Sequence, residues 1–395
     1  MPKKKSLTLQ RVLVLLLAYI MLAVCGGVAA SVLFVPGVVG ANKAAKAVIP
    51  SLKVENVDFD VTSLPQKSTM YARDGSTVIA TFYNQNRIVV PLKKISKTMQ
   101  QAVVAREDRR FWTHAGVDVQ GVMRAFVATY VKKGATQGGS SLTQQYVKNV
   151  LLLQAQEDND PIAEYHASEE TVARKLREML IAVQMEKTYS KLEILQGYLN
   201  IAQFGRGIYG VEMAARRYFS TTADKLDIVQ AATIAAITKN PAAFDPSVES
   251  NQKASQRERN IVLDLMYQEE YISQKQRDEA KAKPLKDTLK LQDAQAGCSA
   301  SGDAAFFCDY VTKKILNSKE FGKTIEERKK LLYEGGLDIY TTMDVNANSA
   351  AMKAARAAIP ADDASKMEVM MAAIKPGTGE VLGFGINKIY DTSPE

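Results

Sequence analysis

Three stretches of this sequence concentrate side chains able to hold, donate or neutralise charge. The first, Arg106-Glu107-Asp108-Arg109-Arg110-Phe111-Trp112-Thr113-His114-Ala115-Gly116-Val117-Asp118, sets adjacent carboxylates among arginines and contains the single Trp and one of the two His residues. A carboxylate so placed can serve as a general base. A charged helix end would carry the same residue types, and a lone His is more often hydrogen-bonded structure than a catalyst. The second stretch, Gln137-Gly138-Gly139-Ser140-Ser141-Leu142-Thr143-Gln144-Gln145-Tyr146-Val147-Lys148-Asn149, opens a helix with glycines and hydroxyls. Such an opening leaves backbone N–H groups facing outward, an anion site by geometry and dipole. Gln145 and Lys148 lie three apart and share a face, so an amide and a cation can meet one phosphate. The plainer alternative is a Ser N-cap on an ordinary helix.

The third stretch is Arg174-Lys175-Leu176-Arg177-Glu178-Met179-Leu180-Ile181-Ala182-Val183-Gln184-Met185-Glu186. On a helical wheel Val172, Leu176, Met179, Leu180 and Val183 form the expected core face, while Arg174, Glu178, Ile181 and Met185 line another. An Arg–Glu pair one turn apart is usually helix support, worth about 0.3–0.5 kcal/mol. A carboxylate in a half-apolar groove is also where acid–base chemistry tends to be found.

These stretches need elements to position them. Ser68 to Ala72 and Thr77 to Tyr83 are rich in β-formers and flank Asp74-Gly75, which predicts a hairpin, with Arg87 to Pro91 as a candidate third extended piece. From Ser96 to about Tyr271 apolar residues recur at helical spacing, broken by Gly, Asn and Pro. The polar, acidic Gln154 to Ser168, with Pro161 inside it, reads as a mobile surface loop. Glu269 to Lys290 reads as a charged helix or linker. Gly336 to Thr342 alternates like a strand, a helix follows to about Ala358, and Met367 to Ile374 is a further strand before the turn at Pro376-Gly377-Thr378-Gly379.

The chain has 395 residues, 46% apolar and 24% charged, enough for two or three folding units. A formal charge of +8 suits an anionic membrane surface, nucleic acid or a phosphate-bearing substrate. The first segment narrows this: Lys3, Lys4, Lys5 and Arg11 precede an uncharged stretch from Val12 to Asn42. That length spans a bilayer, and the flanking charges put the N-terminus in the cytoplasm. A cleaved signal peptide would have a shorter apolar region, and a lipoprotein reading of Leu22-Ala23-Val24-Cys25 meets a bulky Val24. On the outer side lie Cys298 and Cys308, which either bridge or stay as isolated thiols; spacing alone fixes no connectivity. His114 and His166 with no nearby Cys or His cluster argue against a zinc site.

Taken in order, these clusters continue through Tyr189-Ser190-Lys191 to Tyr198-Leu199-Asn200, Phe204-Gly205-Arg206-Gly207 to Tyr218-Phe219, Asn240-Pro241 and Asp245-Pro246. In that succession the chain resembles the peptidoglycan glycosyltransferases, the N-terminal domain of class A penicillin-binding proteins. Weaker similarity from Gly336 to Gly383 resembles the linker and opening strand of their transpeptidase domain. The resemblance implies a mostly α-helical, lysozyme-like glycosyltransferase domain after a single transmembrane helix, with a small β-hairpin region and the truncated start of an α+β transpeptidase domain. The expected boundaries are a cytoplasmic tail at 1–11, the transmembrane helix at 12–40, a stalk at 41–67, the glycosyltransferase domain at 68–270, a linker at 271–335 and the incomplete transpeptidase region at 336–395.

The resemblance also implies roles. Glu107 matches the general base, and Glu178 the second carboxylate, associated with the leaving diphosphate and with a divalent Mg or Mn ion held through it. Ser141, Gln145, Lys148, Arg174, Lys175 and His114 match substrate-binding positions. Implied partners are lipid II and the growing glycan chain, the bilayer, and other cell-wall synthesis proteins, with no nucleic acid; the catalytic domain lies outside the cell membrane. Ser141 stands where the family commonly has Thr, Gln203 replaces a frequent aromatic, and the acidic insertion is longer than usual. A lysozyme-like hydrolase would need no phosphate-binding group. The isolated Ser250-Asn251-Gln252-Lys253 lacks the partner motifs of a transpeptidase, so penicillin binding is expected beyond Glu395.

Overall fold

The computed structural model describes residues 59, 64–126, 139–292 and 296–390. The expected tail, the membrane helix at 12–40 and most of the stalk lie outside the described residues. None of the described helices is long and apolar enough to cross a membrane.

The predicted hairpin is present: Ser68–Tyr71 (β1) pairs antiparallel with Val78–Phe82 (β2). Asp74 shapes its turn, accepting from the backbone N–H groups of Ser76 and Thr77 at 2.9 and 2.8 Å. The third strand is Asp338–Tyr340 (β3), parallel to β1 with Thr69 opposite Asp338 and Tyr71 opposite Tyr340. Residues 87–91, expected as a candidate third strand, form none. Side chains take most of their backbone groups instead: Val89 N–H donates to Gln66 Oε1 at 3.1 Å and Val90 exchanges two 2.9 Å hydrogen bonds with the Asn200 amide, while the Arg87 carbonyl accepts from Lys67 N–H at 3.1 Å.

The chain then becomes helical through Lys97–Glu107 (α1), Val119–Phe126 (α2), Leu142–Glu157 (α3), Pro161–Ser168 (α4), Val172–Thr188 (α5), Lys191–Ile201 (α6), Val211–Phe219 (α7), Ile228–Ile237 (α8) and Gln252–Gln268 (α9). Helix α8 is apolar on every face and buried from Ala231 to Ile237, and it packs on α1 and α9 as the axis of one large core. The mobile loop expected at 154–168 is largely helical. Pro161 sits at the start of α4, where its missing N–H costs nothing, and Asp160 caps that helix by accepting from Ile162 and Ala163 at 3.0 and 2.9 Å. Helix α5 is turned about from its expected pose: Glu178, Ile181, Ala182 and Met185 are buried, whereas Val172, Leu180 and Val183 of the expected core face are exposed.

The stretch expected as a linker is structured too, with Gln274–Ala282 (α10), Leu285–Thr288 (α11), Ala305–Asn317 (α12) and Ile325–Glu334 (α13). After β3 come Val345–Ala358 (α14) and the antiparallel pair Met370–Ile374 (β4) and Val381–Ile386 (β5). A second core joins Met70, Ala72, Ile79 and Phe82 of the hairpin region to Phe307, Ile315, Leu332 and Met343. The hairpin, expected within the glycosyltransferase unit, thus buries its inner face against C-terminal residues. Cys298 and Cys308 form a disulfide at the edge of this core.

Candidate active site

Glu107 is the last residue of α1, where the helix gives way to the loop that carries the rest of the first cluster. Its partly exposed carboxylate is gripped from two sides. Oε2 accepts from Gln145 Nε2 at 2.8 Å, and Oε1 accepts from the Thr238 hydroxyl at the end of α8. The Gln145 amide is itself oriented by Tyr198, whose hydroxyl donates to Gln145 Oε1 at 3.2 Å. Burial, and then the nearby Glu107 charge, push the Tyr198 phenol well above its ordinary range, so it stays a neutral donor. Four helices, α1, α3, α6 and α8, therefore fix one carboxylate.

Glu178 occupies a different environment. It is 1% exposed and accepts from Arg174 on one oxygen and from Lys175 Nζ at 2.8 Å on the other. Lys175 also donates to the hydroxyl of Ser140 at the mouth of α3. Lys148 stands near Arg174, and both Lys148 and Lys175 have lowered pKa values, by burial first and by neighbouring cations after it, Lys175 to about 8. Arg174 and Lys175 on Glu178, with Lys148 beside them and Glu170 beside Lys148, leave surplus positive charge in a partly desolvated place, a setting that attracts an anion.

The structure draws together Glu107 with Gln145, and Glu178 with Arg174, Lys175 and Lys148; helix α3 carries Gln145 and Lys148 and so joins the groups. Two expected substrate contacts face inward instead. Ser141 is 1% exposed, caps α3 through Gln144 N–H at 3.2 Å, and donates to the Gly116 carbonyl at 2.5 Å. It is the N-cap of the plainer alternative, complete with a capping box. His114, its side chain 8% exposed, holds Asp108 Oδ2 at 2.7 Å, and the same oxygen accepts from Leu142 N–H at 2.9 Å. His114 therefore braces the opening of α3 from behind. Thr238 is not singled out by the sequence; it lies two residues before the Asn240-Pro241 motif.

Comparison with known proteins places the segment that carries these residues in a family. Residues 75–267 match the family model described as Transglycosylase. The chain carries a peptidoglycan glycosyltransferase domain of that family. Penicillin-binding protein 2D of Bacillus subtilis is 34% identical over 331 residues, covering 84% of this chain and 44% of its own length. Penicillin-binding protein 1A of Aquifex aeolicus is 35% identical over 289 residues, covering 73% of this chain and 35% of its own. Penicillin-binding protein 1A/1B of Bacillus subtilis is 33% identical over 317 residues, with 80% and 32% covered. The chain spans less than half the length of these relatives. The match encloses Glu107, Gln145, Glu178 and Thr238, so every group just described lies within the transglycosylase segment.

Proposed function

We propose that the chain polymerises lipid-linked disaccharide-peptide into peptidoglycan glycan strands by an inverting displacement. The observation that carries this reading is the contrast between two carboxylates, Glu107 held by neutral donors and Glu178 embedded among Arg174, Lys175 and Lys148. Glu107 accepts the proton of the acceptor's sugar hydroxyl while that oxygen attacks the donor's anomeric carbon. The bond from that carbon to the diphosphate oxygen breaks with its electron pair, and a β-1,4 linkage results. The departing diphosphate lodges against Lys148, Arg174 and Lys175, whose charges are already in place when negative charge develops.

The expected Mg or Mn ion finds no ready-made cage: both Glu178 oxygens are engaged by cations, and no group of three acidic, His or Cys residues is clustered among the described residues. The uncharged run at 12–42 anchors the domain outside the cell membrane in this reading, where both lipid substrates reside, and a longer natural chain would add D,D-transpeptidase activity. The cell-wall synthesis partners belong to the same proposal. Detergent-solubilised protein given labelled lipid-linked disaccharide tests it beside a Glu107→Gln variant. Polymer from the parent and at least a thousandfold less from the variant is expected; equal product would remove Glu107 from the role of base.

A further inference from the structure

The β2–β1–β3 sheet has two faces of opposite character. Met70 and Ala72 point into the second core, while Lys67, Thr69 and Tyr71 alternate onto the other side. That side does not close on the helical unit. Between it and α7 lies a cavity of about 520 Å³, lined also by Asn86, Arg216, Arg217 and Asp338. Its size lies within the range of small-molecule sites. A second hollow of about 200 Å³ shares Arg216 and adds Lys225.

Two groups in this cleft lack partners. The half-buried Lys67 ammonium has no hydrogen bond or ion pair among the described residues, and its pKa is lowered by burial and then by the Arg216 charge. Asn86 is 4% exposed, and its buried side-chain oxygen accepts no hydrogen bond among the described residues. A half-buried unpaired cation and a buried unpaired acceptor each cost stability in the free protein. Both line the same cavity, which is what a site awaiting an anion with an adjoining hydroxyl looks like. Arg216 already holds Glu212 at 2.7 Å, and Asp338 sits on the β3 side, so positive charge dominates at the Lys67 and α7 end.

We propose that this interdomain cleft binds a phosphorylated polyol, its phosphoryl oxygens meeting Lys67 and the Arg216–Arg217 end and a hydroxyl donating to Asn86. The site is distinct from the Glu107 and Glu178 cluster, and it joins the sheet of one unit to a helix of the other. Its ligand is a headgroup of an anionic lipid or a soluble phosphorylated polyol; the chemistry is shared.

The full chain is titrated with glycerol 3-phosphate by calorimetry and thermal melting, with sodium sulfate and glycerol at matched concentrations as controls. Saturable binding and a rise in melting temperature are expected from glycerol 3-phosphate. Lys67→Met should melt higher than the parent when unliganded, because it removes a desolvated cation, and yet bind at least tenfold more weakly. Protection of Lys67 from amine acylation by the ligand, read by mass spectrometry, places the binding at this lysine independently of stability. Absence of saturable binding, or unchanged affinity in Lys67→Met, overturns the proposal, and an equal response to sulfate overturns the polyol part of it. Co-sedimentation with phosphatidylglycerol vesicles, lost in Lys67→Met, would assign the ligand to a lipid headgroup; binding of glycerol 3-phosphate without it would assign the ligand to the soluble class.

Discussion

At the scale of single residues, the site works by giving like groups unlike surroundings. Lys175 shows the consequence for pH. Its pKa of about 8 lies below the value of about 10.4 for a free lysine, so folding disfavours its charged form. The stability penalty is therefore complete below about pH 8 and fades as pH rises toward the free-lysine value. In the proposed reaction activity runs the other way, because a neutral Lys175 would bring no charge to the leaving diphosphate. The expected kcat/KM falls above about pH 8 with a slope of one proton, and Lys175→Arg moves that limb upward by more than a pH unit; an unmoved limb would show that another group titrates. Thr238 supports a second expectation at this scale. Its hydroxyl is one of two donors to Glu107, and a hydrogen bond to a charged group is worth about 1.5–3 kcal/mol. Thr238→Val should lower kcat/KM about 10–100-fold with Thr238→Ser near the parent, as measured by initial rates of polymerisation.

At the scale of elements, what was legible in the sequence depended on whether local chemistry settled the matter. The hairpin, α14 and the helical run from Ser96 were readable because turn residues and helical spacing act within a few residues. Helix α5 was not. A wheel ranks faces by hydrophobicity, and Glu178 enters the buried face only because Arg174 and Lys175 travel with it and neutralise it, while Leu180 and Val183 are left outside. The strand partner of β1 lies at Asp338–Tyr340, a long way on in sequence, and no local signal points to it. Among the candidate site residues, spacing and resemblance point to Glu107, Gln145, Lys148, Glu178, Arg174 and Lys175, whereas the inward turn of Ser141 and His114 depends on a loop that only packing defines. Gly116 makes that packing possible: its φ is +87°, and an added Cβ would stand 2.6 Å from the Ala182 carbonyl oxygen on α5. Gly116→Ala should destabilise the fold by about 3 kcal/mol, combining backbone strain with the displaced helix contact. Its melting temperature should drop, and polymerisation should fall even below that temperature, since Ser141 and the opening of α3 lean on the same loop.

At the scale of the molecule, both strands of the hairpin pack with the C-terminal residues, and the chain passes over to the helical unit only after β2. Buried apolar residues of β1 and β2 face Phe307, Leu332 and Met343, and β1 is hydrogen-bonded to β3, where Thr69 N–H reaches the Leu337 carbonyl at 2.7 Å and the Tyr71 and Tyr340 rings stack at 5.3 Å. The segment after β2 is meanwhile locked to the helical unit by Arg87, 1% exposed, which donates to the Asn200 and Pro65 carbonyls at 3.0 and 2.9 Å. A fragment of residues 64–270 would keep the Arg87 lock but expose the edge of β1 and the apolar face of Met70, Ile79 and Phe82. Unpaired edges and uncovered apolar faces promote association between chains. That fragment should aggregate on purification and bind a hydrophobic dye more strongly than residues 64–390, even though both contain every candidate site residue named above. Replacing Met70, Ile79 and Phe82 with polar residues in the short fragment should restore a monomer by light scattering, whereas in the longer chain the same changes should lower the melting temperature. A short fragment that is monomeric without them would mean that the hairpin folds on the helical unit alone.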